Sequence, residues 1–149
     1  NNLILIIKDN INLLNEIDRN IKISFKYNSK EIILLSDNKQ LSRAFFNLIK
    51  NSIESILEKK ENNPDFKGKI DVVIDYIGDY IEFTVTDNGI GFGNIENDIK
   101  DILNPYFTTK KKGTGLGLAI VNKIINDHNG TIKFKPLSDG AKININFLK

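Results

Sequence analysis

Apolar residues recur every three or four positions between Leu41 and Leu57, and this is the most regular pattern in the chain. Such spacing places the side chains along one side of an α-helix. Ser36-Asp37 stands just before the pattern, and both residue types are favoured at helix N-caps. We therefore predict a helix after Asp37. Its apolar stripe consists of Leu41, Ala44, Phe45, Leu48, Ile49, Ile53, Ile56 and Leu57.

Alternating apolar and polar positions predict strands elsewhere in the chain. The ranges Ile70–Ile77 and Tyr80–Asp87 alternate on either side of Gly78-Asp79, which is the pattern of a β-hairpin. Each of these strands should bury one face. Three further strands are predicted at Ile21–Tyr27, Thr131–Lys135 and Ala141–Leu148, the last two joined by a turn through Pro136 and Asp139-Gly140.

Two more helices complete the predicted elements. Leu3–Ile7 and Asp9–Asp18 predict a short strand or helix end followed by a helix, and Thr114–His128 predicts a helix that Asn129-Gly130 would close. Between the hairpin and that last helix, Asn94–Lys112 has weak periodicity and a charge run, so a long loop, with or without a short helix, is predicted. These elements predict an α+β domain, with about three helices on one face of a sheet.

Composition places the chain among ordinary globular proteins. Its 149 residues suffice for one domain with its own core, and its 40% hydrophobic and 27% charged residues are unlike a disordered chain. The net charge is +2 and the lysines are scattered, so we expect no nucleic-acid partner. The absence of cysteine excludes a disulfide framework and thiolate chemistry.

The first residues carry an expectation about the parent protein. The apolar stretch Leu3–Ile7 is too short to cross a bilayer. The chain begins Asn1-Asn2 and contains no methionine, so we expect it to be part of a longer protein.

A row of polar residues follows the predicted helix after Asp37 beside its apolar stripe. A solvated helix side is the simpler interpretation of such a row taken alone, but asparagine is a poor helix former and two of them lie four positions apart. Their neutral oxygens could help to hold a hydrated Mg²⁺, which takes few protein ligands. The row consists of Arg43, Asn47, Asn51, Glu54 and Glu58.

Two glycine-rich segments follow later in the chain. Asp87-Asn88-Gly89-Ile90-Gly91 lies at the end of a predicted strand. It is either a plain tight turn or a turn that positions the Asp87 carboxylate to accept a hydrogen bond from a purine amino group. Gly113–Leu118 (GTGLGL) stands at a predicted helix start, where free N–H groups favour phosphate, although glycine there also allows close helix packing. The second segment matches neither the dinucleotide fingerprint nor the P-loop.

Four segments in order resemble the histidine-kinase branch of the ATPase superfamily that includes gyrase, the ninety-kilodalton heat-shock chaperone and the mismatch-repair ATPases. Asn47–Glu54 (NLIKNSIE) is similar to its N box, Asp87–Gly91 (DNGIG) to its G1 box, Pro105–Lys110 (PYFTTK) to its F box and Gly113–Leu118 (GTGLGL) to its G2 box. The segment NPYFTTKKKGTGLGLAIV, with a later HNG, looks most like the nitrogen-regulation type of sensor kinase, the NtrB and NtrY group. The resemblance implies a Bergerat ATP-binding fold, a two-layer α/β sandwich with a mixed, mostly antiparallel sheet.

The resemblance also implies roles for individual residues. Asp87 would bind the adenine amino group, Asn51 would coordinate Mg²⁺, and Asn47 would lie beside the triphosphate as a catalytic residue. Gly89 and Gly91 would shape the adenine pocket. The phosphate-binding segment would comprise Gly113, Thr114, Gly115, Leu116 and Gly117.

A lid over the nucleotide is implied for residues Phe92–Lys112. Phe107 would anchor it, and Thr108, Thr109 and Lys110 would approach the γ-phosphate, the last two as catalytic residues together with Asn47. Closure of the lid over bound nucleotide is expected to order it.

Three observations qualify this resemblance. The hydrolytic relatives have a water-activating glutamate where this chain has Asn47, so efficient hydrolysis by the domain alone is not expected. Some kinases of the family have a basic residue and an aromatic residue where this chain has Glu54 and Ser55. The only histidine, His128, lacks the sequence context of a phosphoacceptor and is predicted to lie at a helix C-terminus.

The expected function is transfer of the γ-phosphoryl group of Mg²⁺-ATP to a histidine on a separate dimerisation domain, as the kinase half of a two-component system. Residues 1–18 would join that domain and residues 19–149 would form the ATP-binding domain. The expected partners are the phosphoacceptor domain and a response regulator. We expect a monomeric fragment of a homodimeric parent and a cytoplasmic location, with inner-membrane anchoring of the parent left open. A serine kinase acting on a sigma-factor switch and a non-catalytic regulatory module are the alternatives.

Overall fold

The computed structural model describes residues 1–91 and 117–148, and this part of the chain forms three helices and five strands. The helices are α1 (Leu3–Asn15), α2 (Asn38–Asn62) and α3 (Gly117–Asp127). The strands are β1 (Lys22–Tyr27), β2 (Lys69–Ile77), β3 (Tyr80–Asp87), β4 (Gly130–Leu137) and β5 (Gly140–Leu148).

The five strands form one sheet in the order β1-β2-β3-β5-β4. Strand β1 is parallel to β2, whereas every other neighbouring pair is antiparallel. Alternate residues of the central strands are buried in the same apolar core as the three helices, so the helices cover one face of the sheet. The predicted hairpin is present as β2 and β3, and the predicted two-layer, mostly antiparallel architecture is confirmed.

Helix α2 lies at the middle of the helical layer, between α1 and α3. The stripe predicted from the sequence is buried against the core except for Leu57, which is exposed. The Phe45 and Phe83 ring centres are 4.8 Å apart. Both rings are fully buried, and burial of a side chain of this size stabilises the fold by about 1.5–3 kcal/mol. The N-cap prediction is confirmed, because the Asp37 carboxylate accepts a hydrogen bond from the Gln40 N–H at 3.1 Å. The helix continues to Asn62, beyond Leu57, the last residue of the predicted stripe.

The N-terminal segment corrects one prediction. A break after Leu3–Ile7 is not observed, because the single helix α1 runs from Leu3 to Asn15, and it ends three residues before the predicted Asp18. Its first turn is capped by the Asn2 side chain, which accepts a hydrogen bond from the Ile4 N–H at 3.1 Å. Leu3, Ile7 and Leu14 are fully buried in the common core. The junction assigned to residues 1–18 stays a prediction.

Both edge strands differ in detail from the predicted ones. In β1, Ile23 and Phe25 are only half-buried and Tyr27 is exposed, so its predicted buried face is incomplete, as expected of a strand with one neighbour. Strand β4 continues to Leu137 and includes Pro136, which was predicted to lie in a turn. A proline is tolerated there because an edge strand leaves one side of its backbone unpaired.

The end of α3 is held against the start of α2 by His128. Its Nδ1 lies 2.8 Å from the Ile124 carbonyl oxygen, and its Nε2 accepts a hydrogen bond from the Asp37 N–H at 3.1 Å. Since Nε2 is an acceptor, Nδ1 carries the proton in this arrangement. The next residue, Asn129, has a φ of +58° and ends the helix in the predicted way.

Candidate functional site

Asp87 is the last residue of β3 and one of few buried polar residues in the described part of the chain. Its backbone is paired on both sides, with Ile70 of β2 and Ala141 of β5. One carboxylate oxygen, Oδ1, accepts a hydrogen bond from the Gly89 N–H at 2.9 Å. Asp87 is 7% exposed, and this hydrogen bond orients its carboxylate at the end of a central strand.

The next residue of this turn, Asn88, is hydrogen-bonded to the residues at the start of β2. Its side-chain Oδ1 accepts a hydrogen bond from the Lys69 N–H at 2.8 Å, and its Nδ2 donates to the Lys67 carbonyl at 3.2 Å. Its backbone N–H donates to the Lys69 carbonyl at 3.3 Å. The turn is therefore anchored on the sheet side by three hydrogen bonds from a single asparagine.

Helix α2 holds the same turn from the other side, through Ser55. The Ser55 hydroxyl accepts a hydrogen bond from the Gly91 N–H, and the Ser55 carbonyl accepts one from the Ile90 N–H, both at 3.3 Å. Ser55 is 5% exposed. Consecutive backbone amides of the turn thus bind one helical residue.

The glycines of the turn are needed for this close approach. A Cβ atom at Gly89 would lie 2.6 Å from the carbonyl carbon of Ser55, a distance that real side chains do not reach. Gly91 has a φ of +73°, and its Cβ would lie 2.6 Å from the Gly140 carbonyl oxygen. The turn therefore lies between α2 and the β4–β5 connection without room for side chains at either position.

Lys59, one helical turn after Ser55, also contacts this region. Its ammonium nitrogen donates to the Asn88 carbonyl at 3.1 Å and lies 4.5 Å from the centre of the Phe66 ring. A cation over an aromatic face is attracted by the ring electrons. Neither Lys59 nor Ser55 was predicted to contact the turn, and their side-chain types alone do not reveal it.

Asn51 lies one helical turn before Ser55 and points towards the start of α3. A Cβ atom at Gly117, the first residue of α3, would lie 3.8 Å and 3.9 Å from the two Asn51 amide heavy atoms. Asn51 is half-buried, as is Asn47 one turn earlier. Successive turns of α2 therefore contact the N-terminus of α3 through Asn51 and the Asp87 turn through Ser55. Residues 87–91, Asn51 and Gly117 all adjoin these successive turns of α2, and we call the surface between them the α2 pocket.

The α2 pocket offers few oxygen ligands, which suits a metal ion that is bound mainly by the phosphates of a nucleotide. Within residues 1–91 and 117–148, His, Cys, Asp and Glu form no cluster of three or more that could hold a metal by themselves. Mg²⁺ retains waters and is commonly bound by one or two protein oxygens together with substrate phosphates. The Asn51 amide supplies one neutral oxygen beside a helix N-terminus, where anions are favoured.

Several predicted site residues lie outside the described residues. They are Phe107, Thr108, Thr109 and Lys110 of the predicted lid and Gly113, Thr114, Gly115 and Leu116 of the predicted phosphate segment. The structure therefore brings together Asn51, Asp87, Gly89, Gly91 and Gly117, with Asn47 one helical turn further along α2.

This fold defines the class of the protein as an ATPase domain. The chain belongs to the family of histidine kinase-, DNA gyrase B- and HSP90-like ATPases, which matches residues 36–149, and it is therefore an ATP-binding domain. Within that family it is similar to an NtrY-like sensor histidine kinase of Rickettsia conorii, with 38% identity over 136 residues that cover 91% of this chain. The resemblance to the nitrogen-regulation type of sensor kinase is confirmed.

Two solved structures are similar over the full length of the chain. The nucleotide-free catalytic domain of histidine kinase ThkA has a TM-score of 0.84 and 28% identity, and the match covers 100% of this chain and 93% of that one. ThkA in complex with the response regulator TrrA matches with a TM-score of 0.79 and 24% identity, over 100% of this chain and 41% of that one. The second match shows the fold.

The chain is short compared with its relatives. It spans 21% of the length of the Rickettsia protein that it matches. Among the described residues, none of the helices has both the length and the apolar character that a bilayer crossing needs.

Proposed function

We propose that this domain binds Mg²⁺-ATP and transfers its γ-phosphoryl group to a histidine on a separate dimerisation domain of the same parent protein. The observation that carries the proposal is the α2 pocket. There, a buried carboxylate, a helical amide and a helix N-terminus adjoin successive turns of one helix. These three groups suit the base, the metal and the phosphates of a single nucleotide.

Adenine recognition is assigned to Asp87 and its turn. The carboxylate would accept a hydrogen bond from the adenine amino group, which guanine and hypoxanthine lack at that position. Burial strengthens this selection, because a buried acceptor that loses its partner costs free energy. Gly89 and Gly91 would shape the adenine pocket by letting the turn pack closely against Ser55 and Gly140.

Phosphate binding is assigned to the start of α3 and the segment that precedes it. The free N–H groups and the positive dipole end at Gly117 favour anions. Asn51 is the residue that would hold Mg²⁺, which when bound neutralises phosphate charge. Asn47 would lie beside the triphosphate, and Thr109 and Lys110 would approach the γ-phosphoryl group from the lid.

The transfer step requires little covalent chemistry from this chain. The acceptor imidazole nitrogen attacks the γ-phosphorus, the bond to the β-phosphate oxygen breaks, and ADP leaves. The domain contributes position and charge neutralisation. Because a neutral amide occupies position 47, where the hydrolytic relatives have a glutamate, water is not activated and ATP is conserved for the acceptor.

The expected partners follow from the same proposal. They are the phosphoacceptor domain of a homodimeric parent and a response regulator, of the kind that ThkA binds in its solved complex. We place the domain in the cytoplasm, where ATP is available.

The proposal is tested by incubating the domain with radiolabelled ATP, Mg²⁺ and a matching acceptor-helix domain. We expect acid-labile label on the acceptor helix and none when its histidine is replaced by alanine. Acid-stable label on serine would instead support the sigma-factor type of kinase. A domain that binds ATP but labels no acceptor would support a regulatory module, and label on His128 would contradict the proposal.

A further inference from the structure

Ser55 links two parts of the α2 pocket, Asn51 on helix α2 and the turn that begins at Asp87. It lies one helical turn after Asn51, and its 5% exposure makes it one of the few buried polar residues among those described. Both its hydroxyl and its carbonyl receive hydrogen bonds from the Asp87 turn. The amide proposed to hold the metal and the turn proposed to read the base are thus joined through one residue.

The orientation of the Asp87 carboxylate depends on this contact. Asp87 Oδ1 is held by the Gly89 N–H at 2.9 Å, and the two amides that follow Gly89 are held by Ser55. A shift of the turn away from α2 would move the Gly89 N–H and, with it, the carboxylate. Ser55 therefore acts on the carboxylate through the turn, without contacting the base itself.

The missing side chain of Gly89 matters as much as the Ser55 hydroxyl group. Gly89 packs so closely that its Cβ would lie 2.6 Å from the Ser55 carbonyl carbon and 2.7 Å from the Ile56 nitrogen. A serine allows the turn to approach the helix backbone while it still supplies an acceptor for the Gly91 N–H.

We infer that Ser55 is a positioning residue that determines base specificity. Its hydroxyl holds the Asp87 turn against α2, in the position from which the carboxylate accepts the hydrogen bond of the adenine amino group. This inference rests on the proposed ATP site and names the residue that tunes its selectivity. Removing the hydroxyl leaves the Gly91 N–H without its partner and lets the turn move.

The test compares the dissociation constants of ATP and ITP for the wild-type domain and for Ser55→Ala. ITP carries a carbonyl in place of the adenine amino group, so the ITP-to-ATP ratio reports how well the carboxylate reads the base. We expect Ser55→Ala to lower this ratio roughly threefold to tenfold, the range that corresponds to one hydrogen bond. A loss of folded protein lowers the apparent affinity for both nucleotides equally, so it does not change the ratio of the two dissociation constants.

The matched control is Ser52→Ala, the same substitution on α2 at a residue that is 3% exposed. It should keep the wild-type ratio. Ser55→Cys provides a second variant, since a thiol is a weaker acceptor, and it should give an intermediate ratio.

The outcomes separate this inference from the proposed function. A wild-type domain that prefers ATP, with the preference fully retained in Ser55→Ala and Ser55→Cys, would overturn the role of Ser55 alone. A wild-type domain that binds ATP and ITP equally well, or binds neither, would overturn both.

Discussion

Asp87→Asn is expected to weaken ATP binding by about 10- to 100-fold, the range for loss of a hydrogen bond to a charged group. The substituted amide can keep the hydrogen bond from Gly89 through its Oδ1. Its NH₂ group would then replace the second carboxylate oxygen and face the adenine amino group. Both groups are hydrogen-bond donors, so no hydrogen bond can form between them. Binding of a fluorescent ATP analogue, with competition by ATP, measures the loss.

The fold should survive this substitution, because shape and the Gly89 contact are retained. A thermal unfolding curve close to that of the wild type would confirm it. Asp79→Asn makes the same change in the exposed β2–β3 turn and should leave ATP affinity as it was. Equal affinities for the wild type and Asp87→Asn would show that the adenine assignment is wrong.

Asn51→Ala is expected to slow phosphoryl transfer by about 100-fold, because the loss of a properly held metal removes several kcal/mol of charge stabilisation. It should also raise the Mg²⁺ concentration needed for half-maximal nucleotide binding. The residual binding measured in EDTA should change little, since the adenine contact is made by another element. A magnesium titration at fixed nucleotide concentration separates these two effects.

Asn126→Ala is the matched control for that titration, because Asn126 lies on the exposed side of α3. It should show the wild-type magnesium dependence. If Asn51→Ala shows that dependence too, Asn51 holds no metal.

Most of the fold could be predicted from periodicity. The stripe from Leu41 to Leu57 predicted α2, and the alternation around Gly78-Asp79 predicted the hairpin, because in both cases one face of an element is buried and the other is not. The start of helix α1 was harder to predict, because the continuous apolar run Leu3–Ile7 is also compatible with a short strand. The buried residues Leu3, Ile7, Ile11 and Leu14 have helical spacing, so the signal was present in the sequence.

The edge strands were harder to predict for a physical reason. A strand with one neighbour is covered incompletely by the helical layer, so its alternation does not report full burial, and Tyr27 is exposed although it continues the apolar pattern. Pro136 can lie within β4 for the same reason. A turn and an edge strand both tolerate proline, so the sequence alone does not distinguish them.

The sequence indicated candidate site residues but not their contacts. The resemblance of the motifs to the ATPase family pointed to Asn51, Asp87 and the glycines. The contacts of Ser55 and Lys59 with the turn depend on the rotation and height of α2 over the sheet. Those quantities are determined by packing of the whole core, which no short segment encodes.

The central claim is that one bound nucleotide contacts the Asp87 turn, Asn51 and the start of α3 together. Titration of the ¹⁵N-labelled domain with Mg²⁺-ATP tests this directly by NMR. The account predicts that the Gly89, Gly91 and Gly117 amide signals and the Asn51 side-chain NH₂ signals shift along one shared saturation curve. Shifts confined to one of these groups, or separate saturation curves for the turn and the helix start, would contradict it.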